Sequence, residues 1–370
     1  MSAPTSARAW PRDNRGLQMY LEQLREPIVQ APLAGGASTP ALSAAVSDAG
    51  GLGCLAAGYK TVHALADDIR ALRALTEAPF AVNVFVPSDA SADGGAALDA
   101  YATRLRVEAE RYDVELGEPR QDDDHFEGKL ALVAAERVAI VSFTFGCPAA
   151  PIVSWLHGAG CEVWVTVTTP DEAAQAADVG VDVLVVQGFE AGGHRGYFSD
   201  DPDPDELGLL AALRLIAARV QVPLVAAGAI ADGAAVAAVL CAGAAAAQIG
   251  TALMLTPEAG TPHAYREALA SSEPTRLTRA FTGRPARGIV NRFLATHGAH
   301  APAAYPGVHH MTAPLRAAAR EAGDAGAINL WAGQAHSLAI AAPAREIVTR
   351  LGAEAREASA RLAQRLTPPR

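Results

Sequence analysis

The sequence predicts an α/β protein that is built on a TIM (β/α)8 barrel and carries a smaller, mainly helical second domain. Short apolar runs alternate with helix-like segments, which is the pattern of parallel strands joined by crossover helices. Eight such runs can be counted, and eight strands favour a closed barrel over an open doubly wound sheet. They are Pro27–Pro32, Gly51–Ala57, Phe80–Val86, Val138–Phe145, Glu162–Thr168, Val181–Gln187, Pro223–Ala229 and Ala245–Leu253.

Helices are predicted between these runs, and several begin beside an Asp, Ser or Thr that can cap the first turn. They span Thr39–Ala49, Val62–Leu75, Ile152–Ala159, Asp171–Ala177, Glu206–Arg219 and Asp232–Ala242. An insertion over residues 88–137, with a helix-like portion at 98–116, interrupts the alternation. The region after Leu255 ends in an amphipathic helix that runs from Pro343, as its first helical residue, to Arg365.

These segments predict two parts that pack together. We expect the barrel over residues 20–255, including the insertion, and a smaller helical substrate or capping region over residues 256–370.

The composition excludes several classes of partner. The formal net charge of −10 argues against a sequence-independent grip on nucleic acid. The four cysteines form no CxxC pair or zinc-ligand cluster, so we expect free thiols, no metal and a reducing cytoplasm. The acidic run at residues 122–124 is expected to be a solvated turn. Because no apolar run is long enough to span a membrane, we expect a soluble cytoplasmic protein with no membrane partner. The oligomeric state stays open between a monomer and a homodimer.

The run Gln187–Gly196 is the most informative stretch of the chain. A buried strand ends there in a loop that is rich in glycine and presents His194 at the carboxyl end of the strand, where barrel enzymes hold their catalytic groups. The glycines allow positive φ angles and a close approach to a flat ligand. A histidine beside glycines is also typical of a loop cap, so a catalytic role for His194 depends on the rest of the site.

Two later strand ends are typical of a phosphate site. The run Ala227–Gly233 ends one strand and opens a helix, and Gln248–Thr251 ends the next strand with a glycine and a hydroxyl. In barrels, the loops after the last two strands often bind phosphate through backbone N–H groups and a helix N-terminus. The chain has no Walker A sequence and no Rossmann GxGxxG, which argues against a nucleoside triphosphate or a Rossmann-bound dinucleotide.

Earlier strand ends suit a planar cofactor. The run Gln30–Gly36 supplies a proline-bent edge of small residues that could lie along a ring. Asn83 and Gln187 place two amide side chains near the same barrel end, which matches the donor and acceptor edge of an isoalloxazine. We therefore predict FMN as the cofactor.

The order of these motifs resembles that of the nitronate monooxygenase family, formerly called 2-nitropropane dioxygenase, in its bacterial class I type. The blocks that carry the resemblance cover most of the chain: Gln30–Gly35, Asp48–Gly53, Asn83–Pro87, Ser142–Gly146, Gln187–Gly196, Gln248–Thr251 and Trp331–Gln334. Three residues of this sequence differ from the family pattern. Leu33 stands where Met is usual, Asp48 where Asn is usual, and Ala229 where a second Gly is usual.

The resemblance implies an FMN-binding barrel that oxidises alkyl nitronates such as propionate 3-nitronate with O2, giving a carbonyl compound and nitrite. We expect the nitronate to transfer one electron to the flavin. The resemblance also implies that His194 is the catalytic histidine, which orients the nitronate if charged or removes the α-proton of a nitroalkane if neutral. The residues implied around the flavin and its phosphate are Ala31, Pro32, Leu33, Asn83, Gln187, Gly192, Gly193, Gly228, Ala229, Gln248, Ile249, Gly250 and Thr251.

Two other functions stay open at this point. The FMN- and NAD(P)H-dependent enoyl-carrier-protein reductases resemble this family in their barrel and their glycine-histidine loop. The blocks Ala31–Gly36 and Trp331–Gln334 are more similar to the monooxygenase. The second alternative is a flavin-binding protein without catalysis.

Overall fold

The computed structural model describes residues 19–87, 95–199 and 206–367. Eight parallel strands of this part form one sheet, and all eight agree with the predicted runs. In chain order they are β1 Ile28–Gln30, β2 Gly53–Ala56, β3 Phe80–Phe85, β4 Ile140–Thr144, β5 Glu162–Val167, β6 Val183–Gln187, β8 Leu224–Ala227 and β9 Ala246–Ile249, with β7 Gly193–His194 between β6 and β8.

The sheet closes into a barrel. Its order is β1-β9-β8-β6-β5-β4-β3-β2, and a parallel bridge between Val29 and Leu52 joins the two ends. The Gln30 N–H donates to the Leu52 carbonyl at 2.8 Å, and the Leu52 N–H donates to the Ile28 carbonyl at 2.9 Å. The predicted TIM barrel is therefore confirmed.

The strands are apolar because both of their faces are buried. Inward-facing side chains such as Ile140, Trp164 and Val185 fill the barrel, and their neighbours Val141, Val163 and Leu184 pack under the surrounding helices. The helices are α1 Tyr20–Gln23, α2 Pro40–Asp48, α3 Val62–Arg73, α4 Gly95–Arg111, α5 Phe126–Ala135, α6 Ala150–Gly158, α7 Pro170–Asp178, α8 Leu209–Ala217, α9 Gly233–Cys241, α10 His263–Leu269, α11 Arg292–His297, α12 Gly307–Glu321 and α13 Ala344–Leu366.

The insertion contributes to both parts of the molecule. The capping region, residues 256–370, is called the second region from here on. Helix α4 packs on α12, and its Tyr101 and Leu105 belong to the core of this second region. Helix α5, which the sequence pattern did not predict, packs on α3 and β3 as the barrel's crossover helix. The acidic run before α5 is not fully solvated, because Asp124 lies 2.7 Å from the buried Nζ of Lys129. Residues 88–94 of the insertion and 368–370 of the predicted second domain lie outside the described residues.

Helix α13 returns from the second region to the barrel. Its apolar face, which includes Ile347, Val348 and Leu351, joins the barrel core between α9 and α2. The predicted division at residue 256 assigns this helix to the capping region, whereas its packing assigns it to the barrel. Pro343 precedes the helix in an extended conformation rather than beginning it, because its ψ is 143°.

A small antiparallel sheet, which the sequence pattern did not predict, links the two parts. Strand β10 Thr275–Thr278 pairs with β11 Ala286–Ile289, and β11 pairs in turn with β7. His194 lies opposite Ala286 in this sheet. The histidine loop is therefore held by the second region as well as by the barrel. None of the helices over the described ranges is long and apolar enough to cross a membrane.

Candidate active site

A cavity of about 460 Å³ opens at the carboxyl ends of the barrel strands. All the residues predicted for the site line it except Ile249. Ile249 is fully buried in the core between barrel and helices, because alternate residues of β9 point to opposite faces and Gln248 takes the cavity side. The sequence motifs are thus brought together at one end of the barrel, and the Ile249 side chain is not part of the cavity.

The charges around the cavity are of one sign. In the described part of the chain, no Asp or Glu lines it, whereas Arg316 and Arg320 do. This contrasts with the chain as a whole, whose formal net charge is −10. A cavity lined in this way favours anionic ligands.

Free donors lie at one end of the cavity. Among the described residues, the backbone N–H groups of Ala229 and Gly250 have no hydrogen-bond acceptor. The Thr251 hydroxyl accepts from the Gly333 N–H at 3.1 Å, so its own proton can be donated to a ligand. These groups lie in the two loops that the sequence indicated for a phosphate.

The N-terminus of α9 is not available to such a phosphate. The Asp232 carboxylate accepts from the Ala235 N–H at 2.8 Å, and Glu354 from α13 accepts from the Gly233 N–H at 2.9 Å. Two carboxylates therefore occupy this helix end. The loop amides, rather than the predicted helix terminus, remain to hold an anion.

The backbone of the loop after β8 is left-handed at two consecutive residues. Gly228 has φ +137° and Ala229 has φ +50°. The first is a conformation that favours glycine, and the second costs an alanine roughly 1 kcal/mol. Ala229, which stands where the resemblance leads one to expect a second glycine, is thus a strained residue on the wall of the cavity.

The two predicted amide side chains differ in what they leave free. Asn83 donates through Nδ2 to the hydroxyls of Ser142 and Thr144, both at 3.0 Å, whereas its buried Oδ1 has no partner among the described residues. Both ends of the Gln187 amide are bound: its Oε1 accepts from Arg195 at 3.0 Å and its Nε2 donates to the His194 carbonyl at 3.0 Å. Asn83, a residue of the cavity wall, therefore keeps a buried acceptor without a partner, and Gln187 fixes the histidine loop.

The loop also requires close contact between two motif blocks. A Cβ added to Gly192 would lie 2.4 Å from the backbone nitrogen of Gly333. The Gln334 N–H donates to the Glu190 carbonyl at 3.0 Å in the same contact. Glycine at 192 thus allows the Trp331–Gln334 block to pack directly on the histidine loop.

His194 is neutral and held by a threonine. Its Nε2 lies 2.9 Å from the Oγ1 of Thr282, and Thr282 donates in turn to the Arg284 carbonyl at 3.3 Å. This network assigns the ring proton to Nε2 and leaves Nδ1 without a partner among the described residues. The pKa of His194 is lowered to about 3, mainly by burial and to a smaller extent by the positive charges of Arg284 and Arg316.

Aromatic rings surround His194. The ring centroids of Trp331, Phe145 and Tyr305 lie 5.5, 5.7 and 6.1 Å from that of His194. Farther along, the ring of Tyr59 stacks on that of His309 at 4.2 Å. The pKa of His309 is lowered to about 2, mainly by burial and to a smaller extent by the positive charge of Arg316.

Several residues of the cavity lie outside the sequence motifs. Tyr59 lies two residues beyond the predicted run Gly51–Ala57, and Thr282, His309 and Arg316 belong to no glycine-rich or strand-end pattern. Three of the four come from the second region, whose fold has no periodic signal comparable to that of the barrel. The composition of residues 305–316, with a tyrosine, two histidines and an arginine close together, is the signal that could have indicated His309 and Arg316.

Comparison with known proteins identifies the family. The family model for nitronate monooxygenase matches residues 19–354. A nitronate monooxygenase of Paraburkholderia phytofirmans is 41% identical over 350 residues, which cover 92% of this chain and 94% of that protein. The solved structure of a nitroalkane oxidase from Streptomyces ansochromogenes has a TM-score of 0.90 at 48% identity, and covers 93% of this chain and 99% of its own.

A more distant structure shares the fold alone. The enoyl reductase domain of MlnA from Bacillus amyloliquefaciens has a TM-score of 0.61 at 12% identity, and covers 93% of this chain and 98% of its own. The family match, in contrast, spans nearly the whole chain, including the barrel and the second region as far as Glu354 in α13. The chain therefore belongs to the nitronate monooxygenase family, an enzyme family of flavin-dependent oxidoreductases.

Proposed function

We propose that the chain uses FMN to oxidise alkyl nitronates with O2, giving a carbonyl compound and nitrite, and that His194 is its catalytic residue. One observation carries the proposal: the cavity at the barrel end combines a neutral histidine with free N–H donors and arginines, and no carboxylate of the described residues lines it. Both a flavin phosphate and a nitronate are anions that such a cavity favours.

The residues present fit FMN. The N–H groups of Ala229 and Gly250 and the hydroxyl of Thr251 would hold the phosphate. The Asn83 Oδ1 would accept a hydrogen bond from an N–H of the ring, which removes the cost of leaving a buried acceptor unpaired. The other residues proposed to border the ring or phosphate are Ala31, Pro32, Leu33, Gln187, Gly192, Gly193, Gly228 and Gln248.

Ile249 has a backbone role in this proposal. Its carbonyl accepts from the Ala31 N–H at 2.8 Å, which fixes the end of β9 against the end of β1. The second region, residues 256–370, supplies Thr282 and Arg316 to the substrate side of the cavity.

The state of His194 favours nitronates over neutral nitroalkanes. When bound, FMN supplies the one-electron acceptor for the nitronate. The chain's own residues bind and orient the anion, and the neutral His194 can receive a proton at Nδ1. A group with a pKa of about 3 is a weak base at neutral pH, so it removes the α-proton of a nitroalkane slowly. A nitronate has already lost that proton.

An oxygen-electrode assay tests the proposal. Purified holoenzyme is mixed with propionate 3-nitronate or ethylnitronate, and nitrite is measured alongside oxygen. We expect oxygen uptake with nitrite release and no requirement for NADH. A colourless protein that stays colourless after incubation with FMN would refute the cofactor assignment.

The same preparation distinguishes the two alternatives. Rapid anaerobic bleaching of the flavin by NADH, without nitronate oxidation, would indicate the enoyl-carrier-protein reductase. Flavin absorbance without bleaching and without nitronate-dependent oxygen uptake would indicate a binding protein. Either outcome would contradict the proposed oxidation.

A further inference from the structure

Arg284 is a buried cation that lies close to His194 but outside the cavity. It belongs to the connection between β10 and β11, is only 1% exposed and is not one of the residues that line the cavity. An arginine keeps its charge at neutral pH. Because burying a charge is costly, the contacts of this guanidinium indicate what it contributes to the site.

The guanidinium binds the histidine loop directly after His194. Its Nε donates to the Arg195 carbonyl at 3.3 Å, and its Nη2 donates to the Tyr197 carbonyl. Arg284 comes from the second region, whereas both carbonyls follow β7 in the barrel part of the chain. These contacts add to the pairing of His194 with Ala286, so the main chain is held both at the histidine and after it.

The main chain of Arg284 fixes the hydroxyl that binds the imidazole. The Arg284 N–H donates to the Thr282 Oγ1 at 3.4 Å, and the Thr282 hydroxyl donates to the Arg284 carbonyl at 3.3 Å. The same Oγ1 lies 2.9 Å from the Nε2 of His194. A change of the Arg284 side chain leaves these main-chain groups in place, so the role of the guanidinium can be tested separately.

The charge of Arg284 lies against two rings that surround His194. Its Cζ is 4.1 Å from the centroid of the Phe145 ring and 5.9 Å from that of the Tyr305 ring. These rings are in turn 5.7 and 6.1 Å from the ring of His194. Aromatic faces attract a cation and stabilise it without neutralising it. A positive charge is therefore kept close to the histidine.

The positive charge around the imidazole comes from arginines. Among the described residues, the titratable groups near His194 are Tyr305 before α12, His309 and Arg316 in α12, and Arg284. Burial raises the pKa of Tyr305 well above its ordinary value and lowers that of His309 to about 2, so both are neutral at pH 7. Of the two arginines, Arg284 is the larger cause of the lowered pKa of His194.

We propose that Arg284 is a positioning residue of the active site: its side chain fixes the main chain after His194, and its charge keeps the imidazole uncharged. This inference rests on the proposed role of His194. A positive charge close to an imidazole disfavours the binding of a second proton. A neutral ring with its proton on Nε2 keeps an acceptor at Nδ1, whereas an imidazolium has none.

Two variants separate the charge of Arg284 from its hydrogen bonds. Arg284→Gln keeps a donor for the loop carbonyls and removes the charge, whereas Arg284→Lys keeps both. NMR of the holoenzyme with 15N-labelled histidine reports the protonation of each ring, and the signal missing from His194→Asn identifies His194. At pH 4.5, we expect the protonated fraction of His194 to be about five- to tenfold higher in Arg284→Gln than in the wild type, and less than about twofold higher in Arg284→Lys. Circular dichroism checks that each protein is folded at this pH.

A kinetic comparison at pH 8 gives a second measurement that needs no acid. A histidine that binds its proton more tightly is a stronger base. The ratio of kcat for nitroethane to kcat for ethylnitronate should therefore rise about threefold in Arg284→Gln and stay unchanged in Arg284→Lys. Loss of both rates by the same factor in both variants would indicate a purely structural role and would overturn the proposal.

Arg287→Gln is the matched control. Arg287 in β11 is also a buried arginine, with its Cζ 4.5 Å from the centroid of the Phe189 ring and its Nε donating to the Phe189 carbonyl at 3.1 Å. The lowered pKa of His194 is caused by burial, Arg284 and Arg316, so this variant should leave the His194 signal as in the wild type.

The NMR result also separates this inference from the proposed function, because it does not depend on nitronate oxidation. A wild-type protonated fraction in Arg284→Gln, or an equal rise in Arg287→Gln, would overturn the role of Arg284 even if nitronates were oxidised well. The expected rise in Arg284→Gln alone would support that role even if no nitronate were oxidised.

Discussion

The Nε2 of His194 lies 2.9 Å from the Oγ1 of Thr282, a residue 88 positions later in the chain. The barrel supplies the histidine, and the second region supplies the hydroxyl that fixes its tautomer. Because Thr282 is itself bound to the Arg284 carbonyl, the Nδ1 of His194 is the ring nitrogen that keeps no partner among the described residues.

Replacing His194 by Asn should preserve the cofactor and reduce turnover. Asn is close in size to His and can still donate to Thr282, but it has no titratable nitrogen. We expect flavin content to stay at the wild-type level, while kcat for nitroethane, which must lose its α-proton, falls by roughly 100-fold. Absorbance at the flavin maximum and oxygen uptake measure the two quantities. Full activity in this variant would remove the role of His194.

Replacing Thr282 by Val should affect neutral nitroalkanes more than nitronates. Without the hydroxyl, His194 is free to move its proton to Nδ1, which then cannot act as a base. We expect kcat for nitroethane to fall about tenfold, with a smaller change for ethylnitronate. Thr282→Ser should restore the rate. Equal loss for both substrates would indicate a purely structural role.

Replacing Asn83 by Leu should weaken FMN binding. The free Oδ1 of Asn83 is the buried acceptor assigned to the ring, and its loss should cost about 1 to 1.5 kcal/mol, or roughly tenfold in Kd. Fluorescence titration of apoprotein with FMN measures this change. Ser43→Ala removes another unpartnered buried hydroxyl away from the cavity and serves as the control. An unchanged Kd in Asn83→Leu would contradict the assignment.

Substitutions at the two left-handed residues after β8, Gly228 and Ala229, should change the Tm in opposite directions. Ala229→Gly removes the cost of an alanine at φ +50°, about 1 kcal/mol, of which the greater freedom of glycine in the unfolded chain cancels a part. We expect a slightly higher Tm with FMN still bound. Gly228→Ala places a methyl at φ +137°, so we expect a lower Tm and reduced flavin content. A lower Tm in Ala229→Gly would contradict the account.

Stability should fall as the pH drops below about 6.5. Burial lowers the pKa of His194 to about 3 and that of His309 to about 2, so the unfolded chain binds protons that the folded chain does not. As the pH falls from 6.5 towards the folded-state pKa, each histidine removes at most about 1.4 kcal/mol of unfolding free energy per pH unit. The contribution is fully present above pH 6.5.

Urea unfolding between pH 7.5 and 5 measures this dependence. His309→Gln should reduce the slope of unfolding free energy against pH. His63→Gln, which replaces a histidine whose side chain is 86% exposed, serves as the matched control variant. Burial also lowers the pKa of His297 and His310, so some slope will persist in His309→Gln. An unchanged slope in that variant would contradict the depressed pKa of His309.

The barrel was predictable because its strands carry a local signal. A parallel strand that is buried on both faces is a continuous apolar run, and β4 to β6 need no distant information to be recognised. The strand ends then follow from the barrel's geometry, which placed Asn83, Gln187 and His194 at one end. Ile249 was the exception, since a strand-end motif does not show which of its residues faces the cavity.

The part of the cavity that the second region forms was not predictable in the same way. Strand β7 has only two residues and pairs with β11 across a long stretch of chain, so no periodicity marks it. Thr282 and Arg316 reach the cavity through tertiary packing, and their sequence surroundings do not differ from those of ordinary helix and loop residues. The composition of residues 305–316 indicates chemistry there but not its position.

The return of α13 to the barrel has a consequence for biosynthesis. Strand β9 ends at Ile249, but α13, which packs against α9 and α2, begins only at Ala344. The apolar groove between α9 and α2 must therefore stay uncovered on the ribosome while residues 250–343 are translated. Chaperones that recognise exposed apolar surface would have their main opportunity to bind the nascent chain in that interval.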